Sequence, residues 1–187
     1  LSGSNWRANR WSIRICSKNG RYLFVANAND NSVSVIDISQ QKVIETLNAA
    51  LYPNAPSGST SNGVALSEDE KTLYIANADN NCLAVFDVSV PGNSQSKGFI
   101  PVGWYPTGVK VVGNNIYVTN GKGFSSFPNP LGPDPYKKNA QMAVQKGLLK
   151  SEKEVQYIGG LMKGTLSIIH TPSEKQLGLY SKAVYEN

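Results

Sequence analysis

Long apolar runs are missing from this 187-residue chain: nowhere do about 18 apolar residues follow one another, so no membrane-spanning helix is written into it. Cysteine is nearly absent, at Cys16 and Cys82 only, and no Cys-x-x-Cys-His exists to attach haem covalently. Histidine occurs once, as His170, which leaves no second imidazole for a paired metal site. No P-loop and no Gly-x-Gly-x-x-Gly is present; Gly121-Lys-Gly123 has neither spacing and makes a poor phosphate cradle. The acidic-amide runs Asn27–Asn31 and Asn77–Asn81 lack the glycine and terminal glutamate of a calcium loop. Asn and Asp tolerate positive φ, so both runs are expected to be tight hairpin turns.

What is present is repetition. Ser17-Lys-Asn-Gly-Arg-Tyr-Leu-Phe-Val-Ala-Asn27 returns as Ser67-Glu-Asp-Glu-Lys-Thr-Leu-Tyr-Ile-Ala-Asn77, and Val33-Ser-Val-Ile-Asp37 as Leu83-Ala-Val-Phe-Asp87. The spacing is 50 residues throughout. A repeat of this size, written in alternating apolar residues, is the signature of a β-propeller blade. A third copy is split: Asn115-Ile-Tyr-Val-Thr-Asn120 supplies one half and Thr165-Leu-Ser-Ile-Ile-His170 the other. Residues 121–164, 44 in all, intervene where the first copy uses four.

The expected fold is therefore all-β, with blades of four antiparallel strands and about three blades present as an incomplete ring. The blades span approximately 11–50, 61–103 and 105–182, and the third carries the insertion 121–164. The whole of 1–187 reads as one propeller segment. Since propellers close with four or more blades, and the chain starts at Leu1 without an evident closing strand, a piece of a longer protein is expected rather than a ring completed by oligomers. The hairpins are Tyr22–Asn27 with Ser32–Asp37 and Thr72–Asn77 with Cys82–Asp87; Trp11–Cys16, Gly63–Ser67 and Thr107–Val112 are inner strands, and Gln176–Lys182 is the outer strand of blade three. Cys16 then falls on an inner strand and Cys82 at the next blade's hairpin tip, too far apart for a disulfide.

The insertion concentrates the charge. Of the net +5 of the chain, most lies there, in seven lysines against Asp134, Glu152 and Glu154. Four prolines in Ser125–Pro135 make an extended loop, Asp134-Pro135 reads as a helix start running to about Lys146, and Val155–Ile158 as a returning strand. Long insertions on compact domains commonly carry function. The candidate contact residues are Arg7, Arg10, Trp104, Tyr105, Lys122, Lys137, Lys138 and His170. Trp104-Tyr-Pro106 stands in a loop before an inner strand, where aromatics stack on a ligand or pack blade on blade. His170 replaces the closing Asp of the other hairpins, as a ligand group or as a hydrogen-bonded strand end. No catalytic constellation, metal site or cofactor site is assigned.

Tyr117-Val-Thr-Asn120, with Leu23-Phe-Val-Ala-Asn27 and Leu73-Tyr-Ile-Ala-Asn77, resembles the YVTN family of β-propeller repeats. Asn120-Gly-Lys-Gly123, Pro128-Asn-Pro130 and Tyr157-Ile-Gly-Gly-Leu-Met-Lys-Gly-Thr-Leu-Ser-Ile-Ile169 resemble bacterial proteins that join such a propeller to an alkaline-phosphatase-like phosphoesterase domain. The resemblance implies a periplasmic or cell-surface protein whose catalytic residues lie beyond Asn187, and a non-catalytic docking scaffold here. A lactonase-like propeller hydrolase and a binder of single-stranded nucleic acid or another polyanion remain the alternatives.

Overall fold

A computed structural model describes residues 13–124, 147 and 162–186. They form three antiparallel sheets and one helix. The first sheet has strands β1 (Arg14–Cys16), β2 (Tyr22–Asn27), β3 (Ser32–Asp37) and β4 (Lys42–Asn48), paired in chain order. The second repeats the plan with β5 (Ser61–Leu66), β6 (Thr72–Asn77), β7 (Cys82–Asp87) and β8 (Gln95–Pro101). The third contains β9 (Trp104–Val112), β10 (Asn115–Gly123) and β11 (Thr165–His170), in the order β11-β10-β9. Nearly all-β and unclosed, these sheets are blades of an incomplete β-propeller.

Of the first strands, β5 lies against both β1 and β9, and the three so mark the inner side of the sheets. Their approach is tight. A β-carbon on Gly63 of β5 would stand 3.1 Å from Gly108 Cα of β9. Between the first and second sheets a core forms from Phe24, Val33, Val35, Leu73, Ile75 and Phe86, and between the second and third from Tyr74, Leu83, Ile100, Ile116 and Val118. Strands covered on both faces read as near-continuous apolar runs, which is why Cys82-Leu-Ala-Val-Phe86 is buried throughout.

The expected hairpin turns form. Asn31 and Asn81 take left-handed φ of 50° and 51°, and each uses its side chain beyond its own turn. Asn31 Oδ1 accepts from Gly58 and Ser59 N–H, and Asn81 Oδ1 from Tyr105 N–H at 2.8 Å. Each turn therefore anchors the chain as it enters the next sheet. The two cysteines are free, and burial pushes the Cys82 thiol up to about 12.

Gln176–Lys182 is not the outer strand of blade three. It lies in helix α1 (Glu174–Glu186). Ser173 starts the helix, accepting from Leu177 N–H through its carbonyl and from Gln176 N–H through its hydroxyl. Leu177, Ser181 and Val184 then share one face, and the helix packs along β8 instead of β11. Phe99 N–H donates to Ser181 Oγ at 2.8 Å, and the Phe99 and Tyr185 rings meet edge to face. Covering the β8 edge with a helix satisfies backbone groups that would otherwise face solvent.

At the opposite end from the Asn turns, Asp37 and Asp87 close their hairpins. Both carboxyls are held below the ordinary 3.8, first by hydrogen bonds from Ser39 and Ser89 hydroxyls respectively. A carboxyl with a lowered folded-state pKa contributes stability that is present above its unfolded value and lost as pH falls through the folded one. Stability is therefore expected to decline as pH drops below about 3.8, and Asp37→Asn together with Asp87→Asn should flatten that acid limb in urea titrations. An unchanged acid limb in the double variant would remove these carboxyls as its cause. In blade three His170 holds this position, and its Nδ1 lies 3.4 Å from Asn115 Oδ1.

Candidate functional site at the insertion end of blade three

Three of the residues singled out from sequence come together. Trp104 and Tyr105 open β9, and Lys122 lies near the end of β10, which pairs with it. Trp104-Tyr-Pro106 thus stands within a strand and not in the preceding loop, because two register irregularities in β10 extend the ladder to the pair Gly123–Trp104. Lys122 Nζ sits 4.5 Å from the centre of the Tyr105 ring, a cation–π contact worth about 0.5–1 kcal/mol at an exposed site. Trp104, Phe124 and Met162, near the same end of the blade in sequence and ladder, are exposed. The insertion leaves and rejoins the blade at this point.

Tyr105 has φ 59°, a left-handed value uncommon for a bulky residue. Thr60, one residue before β5, has φ 50° in the corresponding place. The conformation therefore belongs to the way the chain enters an inner strand in both blades.

Below these groups lies a residue that sequence reading placed only in a repeat motif. Asn27, Asn77 and Asn120 occupy the same place in the three blades. Asn77 Nδ2 donates to Ala49 C=O at 2.6 Å, and its Oδ1 accepts from Ser61 at 3.2 Å. Asn120 Nδ2 donates instead to Thr165 and Ser167 hydroxyls, as Asn27 does to Ser32 and Ser34. The Asn120 side chain is 1% exposed, and its Oδ1 has no partner among the described residues. The cause is local: Ser61 pairs opposite Asn77, whereas Pro106, which has no donor, pairs opposite Asn120. Gly103 packs so close that a β-carbon on it would stand 2.7 Å from the Asn120 amide. The recurrence of Asn at 27, 77 and 120, spaced by 50 and then 43 residues, read together with the Ser-to-Pro change, was the available signal.

His170 is not part of this cluster. In the β10–β11 ladder it pairs with Asn115, while the cluster adjoins the Asn120–Thr165 end. Five residues of extended strand, about 17 Å, separate the two ends. Arg7, Arg10, Lys137 and Lys138 lie outside the described residues, as do the expected insertion helix and the strand Val155–Ile158. Among the described residues no group of three His, Cys, Asp or Glu side chains is arranged to hold a metal ion, and no helix is long and apolar enough to cross a membrane.

The chain is similar in structure to hydrazine synthase of Kuenenia stuttgartiensis, with 24% identity over 65% of this chain and 32% of that one, TM-score 0.49. It is also similar to two candidate 6-phosphogluconolactonases. The one from Bacteroides fragilis shows 23% identity over 56% of this chain and 30% of that one, TM-score 0.49. The one from Bacteroides uniformis shows 20% identity over 56% and 31%, TM-score 0.47. The chain thus spans about a third of the length of these structures. No curated protein sequence matches it. The family model described as lactonase, 7-bladed beta-propeller matches residues 14–123, from the first described strand to the end of β10. With more than half of its length so matched, this chain belongs to the lactonase seven-bladed β-propeller family.

Proposed function

We propose that this segment is a binding and docking scaffold whose contact face is the insertion end of blade three, and that it takes an anionic ligand or partner there. The observation that carries the reading is the Lys122–Tyr105 cation–π pair at that end, with Trp104 exposed at the adjoining residue, where a lysine-rich insertion emerges. A cation with aromatic surface suits a ligand bearing both negative charge and a ring. In this reading the repeats are of the YVTN type, and the segment belongs to a larger exported protein, periplasmic or surface-attached, whose phosphoesterase domain docks on the insertion. An intact mass of the native protein well above 20.2 kDa would support that attachment, and a mass of 20.2 kDa would remove its covalent basis.

The site test is a fluorescence titration with phenyl phosphate, which carries both an anion and a ring, read through tryptophan emission. Lys122→Ala should weaken binding about tenfold, a loss of about 1.4 kcal/mol. Binding untouched by Lys122→Ala, or by Lys137→Ala with Lys138→Ala, would refute the site. An affinity for oligonucleotides that falls steeply with salt would favour the polyanion reading instead.

The family match favours a second reading, a propeller hydrolase opening a lactone ring. Turnover of a lactone panel by this chain, abolished in a Lys122→Ala variant that stays folded, would support it over the scaffold.

A further inference from the structure

The outer edge of blade three is built differently from the other two. In blade one β3 is covered by β4, which carries Lys42 and Glu45, and in blade two β7 is covered by β8 and then by α1. β11 corresponds to β3 and β7, yet it is the last strand of its sheet among the described residues. The chain leaves it through Thr171-Pro172-Ser173 for blade two. β11 reads Thr-Leu-Ser-Ile-Ile-His, with no formal charge and no proline, the usual guards of an open edge.

Its hydrogen-bonding phase can be assigned. Thr171 N–H donates to Asn114 C=O at 2.8 Å, and His170 pairs with Asn115. In an antiparallel ladder the bonded pairs alternate, so Thr165, Ser167 and Ile169 bond inward to β10. The backbone groups of Leu166, Ile168 and His170 point outward. Blade one has the same phase: Ala49 N–H donates to Asn31 C=O, which makes Val33 and Val35 the residues bonded to β4. Leu166 and Ile168 occupy the places of Val33 and Val35, with side chains 56% and 62% exposed.

We infer that the β11 edge pairs with the β11 edge of a second copy of this chain, antiparallel about a two-fold axis through Ser167. This register sets Leu166 opposite Ile168 of the second copy, and Ile168 opposite Leu166. Both are outward-bonding positions, so each pair exchanges two backbone hydrogen bonds. The apolar side chains then meet on one face, Ser167 faces its own copy, and no like charges oppose. β4 instead carries Lys42 and Glu45, charges of the kind that guard an open edge, and β8 is closed by α1. Because β9 is the inner strand and β11 the outer, the pairing leaves the inner side of the blades free. Leu166, Ile168 and the open backbone edge carry the inference, independently of any ligand at the other site.

Sedimentation velocity of the intact chain over a concentration series tests it, with two variants. Wild type should show a reversible dimer. Ile168→Lys, at an exposed position, should leave the circular dichroism unchanged and weaken association about tenfold or more. Ser167→Cys, in a Cys16→Ser background, should form a disulfide dimer under mild oxidation, because the two thiols face each other across the axis. A wild-type monomer at high micromolar concentration would overturn the inference. So would a dimer that Ile168→Lys leaves intact, or one that Ser167→Cys does not cross-link.

Discussion

Replacing Gly98 by valine is expected to strip helix α1 from the protein. Gly98 lies in β8 with φ 132°, a conformation that residues with side chains rarely adopt. A β-carbon there would collide with Ser181 Oγ, and the Leu177 side chain stands 3.7 Å away. Ser181 is also the residue that takes the Phe99 N–H and donates to Leu177 C=O, so the collision falls on the helix's main anchor. With the anchor lost, Leu177 and Val184 return to water, a loss of about 3–5 kcal/mol for the two. A free helix of 13 residues is marginal in water, so detachment means unfolding. Tryptic cleavage at Lys175 and Lys182, slow in wild type, should become fast, and part of the helical circular dichroism should disappear. Ser181→Ala should show a milder form of the same change. Unaltered proteolysis of the valine variant would show that α1 is held by something other than the β8 edge.

Asn77→Leu is expected to cost about 3 kcal/mol, which for a chain of this size lowers the melting temperature by roughly 6–12 °C. The Asn77 amide is fully buried and joins two segments: its nitrogen ties down Ala49, at the end of blade one, and its oxygen takes the Ser61 hydroxyl that opens blade two. Leucine keeps the branched shape, though it is larger, and leaves the Ala49 carbonyl and the Ser61 hydroxyl buried and unpaired. Each orphan costs about 1–3 kcal/mol. Asn120→Leu makes the control, since its carbonyl has no partner among the described residues and its nitrogen serves two hydroxyls of its own blade. It should cost less, and urea unfolding of the two variants measures the difference. Equal losses would mean that the tie between blades contributes nothing beyond the amide's own packing.

Much of the architecture was legible because two copies of one pattern stand side by side. The hairpins Tyr22–Asn27 with Ser32–Asp37 and Thr72–Asn77 with Cys82–Asp87 form at the residues the repeat indicates. Alternation of apolar residues and Asn-rich turns act locally, within a few residues, so they can be read without knowing what lies across the sheet. The same logic misled at Gln176–Lys182. Gln-Leu-Gly-Leu-Tyr-Ser alternates as a strand does, yet Leu177, Ser181 and Val184 also fall on one helical face. Only the presence of the β8 edge, with Gly98 leaving room for Ser181, decides between the two.

The candidate site shows the same division. Sequence by itself determined that there are blades, that the third is interrupted, and that lysines and aromatics gather near the interruption, since these are properties of spacing and composition. Tertiary structure decided which of them meet. Strand direction puts His170 at one end of blade three and Lys122 at the other, while ladder irregularities bring Trp104 level with Gly123. The exchange of Ser61 for Pro106 leaves the Asn120 carbonyl without a partner among the described residues, which no local pattern announces. Contacts between strands far apart in the chain depend on register and on what each blade places opposite its neighbour, and that information exists only once the sheets are assembled.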